Sequence, residues 1–159
     1  MMSDSTSTNE RTLLYLDDLH VGQRFVSRTH LVDEAQIMAF AGQFDPQPFH
    51  LDAEAAKQTF FQGLAASGWH TAAISMRLLV ESAPIAGGVI GAGAEINWPK
   101  PTRPGAILHL ESEVVELRPL RTRPDRGMVT MRSETINQTR EIVQVLVSKL
   151  VVPRKSAAE

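Results

Sequence analysis

The sequence predicts an α+β domain, and three observations predict it. One long stretch of helical character, from about Gly68 to Glu81, is followed by residues that read almost entirely as strand. That helix carries small or apolar residues nearly all the way round (Ala72, Ala73, Ile74, Met76, Leu78, Leu79, Val80), so other structure should surround it. The strands after it are long and separated by polar turns, as expected of an antiparallel sheet wrapped about a central helix.

Residues 1–12 are rich in Ser, Thr, Asp and Asn and read as a disordered tail; 13–153 form a single domain; 154–159 form a second tail. Leu13 to Leu19 supply apolar cover for the core before Val21-Gly22 turns the chain. Arg24 to Leu31 alternates weakly and predicts one short strand. Asp33 stands as N-cap to a helix over Glu34–Ala41, with Ile37, Phe40 and Ala41 on one face and Gly42 as its stop. Asp52 caps another short helix containing Ala53, Ala55, Ala56 and Lys57. Ser67 caps the long one, and Pro84 with Gly87-Gly88 ends the helical region.

Val89 to Trp98 predicts a strand whose small residues, Gly91, Gly93 and Ala94, permit close approach. Pro99, Pro101 and Pro104-Gly105 make a turn. Ile107 to Leu117 alternates, and its apolar phase slips at Val115–Leu117, which predicts a bulge. A polar loop, Arg118 to Gly127, leads into a strand over Met128–Asn137. Ile142 to Val152 is apolar on both faces except at Gln144, Ser148 and Lys149, as expected of a central strand.

At 159 residues the chain can bury a core of its own. A formal net charge of −2 offers no footprint for nucleic acid or for an anionic membrane. No segment has the length of a membrane span or the pattern of an export signal, so the expected location is the cytoplasm. With no cysteine, disulfide and thiolate chemistry are excluded.

The stretch that asks for chemistry is Phe40-Ala41-Gly42-Gln43-Phe44-Asp45-Pro46-Gln47-Pro48-Phe49-His50-Leu51-Asp52. It sets a carboxylate five residues before an imidazole, with two prolines between them. Proline holds the residue before it extended, so Asp45 and Gln47 should be extended and the span a stiff, non-helical connector. Stiffness matters because an acid/base pair works only when both groups point at one reacting atom. Apolar neighbours (Phe40, Phe44, Phe49, Leu51) would desolvate the pair and tune its pKa values. The same residues also suit an ordinary surface turn.

Asp-Pro-Gln-Pro-Phe-His resembles the Asp-x-Asn-Pro-x-His signature of the MaoC-like dehydratases, the family of (R)-specific enoyl-CoA hydratases. Gly63-Leu64-Ala65-Ala66-Ser67-Gly68-Trp69-His70-Thr71-Ala72 resembles the family's small-residue turn into its central helix, and Trp98-Pro99-Lys100-Pro101-Thr102-Arg103-Pro104-Gly105 its Pro-Val-x-x-Gly-Asp turn. Gln47 stands where the family usually has Asn, and Ala106 where it has Asp. The resemblance runs from about Leu16 to Pro153. It implies a hot-dog fold that pairs into homodimers or higher homo-oligomers, an acyl-CoA thioester substrate, and no dissociable cofactor, coenzyme A being part of the substrate. It also implies that Asp45 and His50 hold one water for addition to a trans-2-enoyl thioester. The Gly68 amide, at the start of a helix where N–H groups lack partners, is then the oxyanion donor. Gln47, Phe49, Ser67 and Trp69 are the residues placed against the substrate.

Other readings stay open on the residues alone. Gly68 could be small only for packing. His70 reads as a packed histidine rather than a third catalytic or metal-binding group, and the family needs no metal. Trp69 and Trp98 suit either an acyl tunnel or the core. Lys100, Arg103 and the arginines of residues 118–126 could meet coenzyme A phosphates or only solvent. A thioesterase, or a non-catalytic acyl-thioester-binding module, would use the same fold.

Overall fold

The computed structural model describes residues 11–156; of the predicted tails, 1–12 and 154–159, the stretches 1–10 and 157–159 lie outside the described residues. A 3-10 turn, Leu16–Asp18, sends Leu16 and Leu19 into the core. Two three-residue strands follow, β1 (Arg24–Val26) and β2 (His30–Val32), where one continuous strand is predicted. Both pair with the same partner strand. Between them Ser27 trades hydrogen bonds with Leu110, its N–H donating to the carbonyl and its Oγ accepting from the Leu110 amide.

Helix α1 covers Glu34–Phe44, with the Asp33 carboxylate accepting from the Gln36 amide as an N-cap should. It runs through Gly42 rather than stopping there. The end comes at Asp45, which precedes Pro46 and has left helical geometry at φ −153°. One turn of helix, α2 (Pro48–Leu51), then carries His50, against the expectation of a wholly non-helical connector. The physical reason is that proline fits the first position of a helix, where its missing N–H has no partner to lose. Gln47 before it is extended, as expected, with φ −111° and ψ 148°. Asp52 caps α3 (Ala53–Ala56) through the amides of Glu54 and Ala55.

Helix α4 spans Gly68–Ser82, with Ser67 as its N-cap, its Oγ accepting from the Trp69 amide. It is only half enclosed, which corrects the prediction of a helix buried all round. His70, Thr71, Ile74, Ser75, Leu78 and Leu79 are buried, whereas Trp69, Met76 and Val80 lie on an outward stripe and are exposed. One chain supplies a sheet for one side of the helix.

The sheet consists of β1, β2, β3 (Ile90–Asn97), β4 (Ala106–Pro119), β5 (Arg126–Ile136) and β6 (Ile142–Pro153). Its order is β1-β4-β5-β6-β3, all pairs antiparallel, with β2 beside β4. The pairing of β4 with β5 shifts register between Val114 and Glu116, the bulge expected from the slipped apolar phase. Strand β6 is interior, as predicted. Strand β3 is an edge and exposed along most of its length. Leu78, Leu79, Leu108, Leu110, Val114, Val129, Met131 and Val152 form the core between helix and sheet. A long helix clasped by an antiparallel sheet is the hot-dog fold. It leaves α1, α2 and the N-terminus of α4 converging on the Pro-rich turn before β4.

Candidate active site

The site is built where four segments cross-bond. The buried stretch Leu64–Ser67 lies between α2 and the turn of residues 98–105. Its Ala65 amide donates to the Phe49 carbonyl at 3.0 Å, and its Ala66 amide donates to the Thr102 carbonyl at 2.8 Å. Arg103 strengthens the arrangement from outside. Its guanidinium donates to the carbonyls of Phe61 (2.6 Å), Gly63 (3.1 Å) and Leu64 (3.3 Å). Arg103 therefore holds a loop in place.

On this frame His50 is nearly enclosed, at 4% exposure. Its Nδ1 lies 2.6 Å from the Ala65 carbonyl. A carbonyl can only accept, so Nδ1 carries a hydrogen and Nε2 is left with the free lone pair. Nε2 points at Asp45 Oδ2, 3.3 Å away. Phe49 stands edge-on to the imidazole, ring centroids 4.5 Å apart, and packs against Phe61 behind it.

Asp45 is largely shielded, and burial alone would raise its pKa. Hydrogen bonding from Gln47 and the nearby Ser67 hydroxyl, together with the His50 imidazole, outweighs burial and holds the carboxyl below its ordinary value. The Gln47 bond is short, Nε2 to Oδ1 at 2.5 Å. Gln47, which stands where the family usually has Asn, thus holds one oxygen of the carboxylate.

Both groups open onto a cavity of about 520 Å³ lined also by Phe60, Phe61, Gly68, Trp69, Thr71, Trp98 and Thr102. Asp45, His50, Gly68 and Trp69 are thus brought together as predicted. Gln47, Phe49 and Ser67 are not on the cavity wall: Gln47 holds Asp45, Phe49 backs His50, and Ser67 is fully buried as the helix cap. Gly68 turns out to satisfy two demands. A Cβ there would lie 2.6 Å from Trp98 Cε2, so packing alone forbids a side chain. Its amide, first in the helix, makes no hydrogen bond among the described residues and remains free to donate.

Trp69 and Trp98 meet edge-on, centroids 5.4 Å apart, and belong to the cavity rather than to the core. His70 is packed: it stacks on Phe40 at 4.7 Å and 7°. Burial, then the neighbouring His30, pushes its pKa down. Among the described residues no three His, Asp or Glu side chains are grouped to hold a metal. Sequence reading missed the Ala65 carbonyl, Thr71 and Thr102. A backbone acceptor has no signature of its own, and the two threonines could have been noticed only from their places in the second and third motifs.

A model of the MaoC-like domain matches residues 18–137. Among solved structures, a MaoC-like dehydratase from Rhodospirillum rubrum is 59% identical, with a TM-score of 0.89 over 91% of this chain and 99% of that one. The R-hydratase PhaJ1 from Pseudomonas aeruginosa is 26% identical, with a TM-score of 0.71 over 92% and 93% of the two chains. A 3-hydroxybutyryl-CoA dehydratase of Methylorubrum extorquens is 32% identical over 119 residues, 72% of each chain. The matched span contains Asp45, His50 and Gly68 on this fold, and the chain belongs to the MaoC-like dehydratase family.

Proposed function

We propose that this protein is an (R)-specific enoyl-CoA hydratase, acting in reverse as a 3-hydroxyacyl-CoA dehydratase. The observation that carries this reading is the Asp45–His50 pair, facing at 3.3 Å over a cavity bordered by Gly68, whose N–H has no partner among the described residues. The names of similar proteins, a hydratase and a dehydratase, support the reaction class.

Hydration needs a base for water, a proton for the α-carbon, and a donor for the thioester oxygen. A water lodged between Asp45 Oδ2 and His50 Nε2 would give up one proton to the pair as its oxygen bonds to the β-carbon. The π electrons move towards the thioester oxygen, where the Gly68 N–H meets the developing charge. The proton held by the pair then passes to the α-carbon on the same face, so atoms and charge balance without a dissociable cofactor. The Ala65 carbonyl keeps Nδ1 occupied and confines this proton traffic to Nε2.

A second copy of the chain is part of the proposal. The free β3 edge and the outward stripe of Trp69, Met76 and Val80 support pairing into a homodimer.

The test is crotonyl-CoA hydration, following loss of the enoyl absorbance together with any free thiol. Asp45→Asn and His50→Ala should each lower the rate about 10²–10⁴-fold with the fold intact by circular dichroism. Full activity in either variant would falsify the proposal, and release of coenzyme A thiol without hydration would identify a thioesterase instead.

A further inference from the structure

The cavity's walls bear on the size of acyl group it admits, an inference that rests on the cavity being the acyl-thioester site. Trp98 follows β3 and lies with its ring against Gly68. Its Nε1 donates to Gln144 Oε1 at 2.9 Å, and Gln144 is wholly buried in β6. The Gln144 Nε2 already lacks a partner. Swinging the indole aside would therefore strip that amide of its one side-chain hydrogen bond, a cost of about 0.5–1.5 kcal/mol that holds the indole in place. Trp98 is a fixed wall, not a movable flap.

The floor is also fixed. Thr71 Oγ1 and Thr102 Oγ1 share a hydrogen bond of 2.9 Å, joining α4 to the Pro-rich turn. One helical turn further, Ser75 Oγ bonds Thr135 Oγ1 at 2.6 Å and donates to the Thr71 carbonyl at 2.7 Å, joining α4 to β5. All four hydroxyl residues are buried. The cavity reaches Thr71 and Thr102, and neither Ser75 nor Thr135 lines it. An alkyl tail running between helix and sheet would have to break both bridges and lie against hydroxyls stripped of their partners.

We propose that Trp98, pinned by Gln144, and the Thr71–Thr102 and Ser75–Thr135 bridges are end stops that confine the substrate to short acyl groups of about crotonyl size. In an open apolar tunnel each added methylene would favour binding about fourfold. Here that gain is absent.

The test titrates butyryl-CoA and octanoyl-CoA, saturated ligands that cannot be hydrated, into the full chain by calorimetry. The wild type should bind octanoyl-CoA less than tenfold tighter than butyryl-CoA, or more weakly. Trp98→Ala should raise that preference for the longer chain at least tenfold. Octanoyl-CoA bound tenfold or more tighter by the wild type overturns the proposal, as does a preference that Trp98→Ala leaves unchanged. If Trp98→Ala does not fold, Trp98→Phe combined with Gln144→Leu, which removes both hydrogen-bond partners together, carries the same expectation. Should neither ligand bind, the acyl site and the proposal fall together. Wild-type assays with crotonyl-CoA and trans-2-octenoyl-CoA separate this inference from the reaction it rests on. Tight binding of butyryl-CoA without octanoyl preference and without turnover would sink hydration alone; equal turnover of both enoyl chains would sink confinement alone.

Discussion

At Asp45 two opposing effects are balanced by named neighbours, so its acidity can be shifted without touching the carboxylate. Burial raises its pKa, while Gln47, Ser67 and His50 together lower it. Gln47→Ala removes the 2.5 Å bond and should let the Asp45 pKa rise. The acid limb of the rate profile then moves to higher pH, because a base with a raised pKa is protonated sooner as pH falls; an unmoved limb would remove Gln47 from the site's electrostatics. At Gly68, substitution by Ala drives a methyl into the Trp98 ring and should cost about 1–3 kcal/mol of stability. Denaturant melts of Gly68→Ala, Trp98→Ala and the double variant should show the two costs to be coupled by at least about 1 kcal/mol. Asp45 and His50 were legible because a carboxylate, an imidazole and two prolines leave a pattern in the residue types. The Ala65 carbonyl that orients His50 left none, since any residue would supply it.

Among the elements, the helix starts were the most legible part of the fold. Asp33, Asp52 and Ser67 all cap as expected, because a short polar side chain before an amphipathic run satisfies amides that would otherwise be bare. The helix ends were less so. Gly42 looked like a stop, yet the residue before Pro46 ends α1, a case of one local restriction outranking a preference. The α2 turn was hidden because the prolines that forbid helix at Asp45 and Gln47 also start one at Pro48. Arg103 belongs to this scale, since it clamps the carbonyls of the Phe61–Leu64 loop whose next residue positions His50. Arg103→Lys keeps the charge but loses the planar fork. It should lower the melting temperature, as the loss of about 1–2 kcal/mol would, and depress kcat for crotonyl-CoA about tenfold. An unaltered kcat would leave the clamp with no part in aligning the site.

For the whole molecule, the outward face of α4 and the bare β3 edge were not legible, because apolar residues all round a helix fit burial within one chain as well as between two. If they meet a second copy, light scattering should give about twice the 17.5 kDa chain mass. Met76→Glu with Ala94→Arg, which places charges on the stripe and on the edge strand, should return it to the single-chain value. Stability should depend on pH through His70. Burial and His30 depress its folded pKa below the ordinary 6.5, so the unfolded chain takes up the proton first. Stability is therefore full above that value and declines as pH falls below it. His70→Phe, which preserves the stack on Phe40, should flatten the melting temperature between pH 7.5 and 5.5 relative to the wild type.

The partners that close the cavity are far apart along the chain: residue 61 with 103, 71 with 102, 75 with 135, and 98 with 144. A chain emerging from the ribosome thus carries Asp45 and His50 long before β6 supplies the last of these partners. No fragment that stops short of Gln144 can pin the Trp98 indole, so the cavity's walls are complete only when synthesis is nearly done.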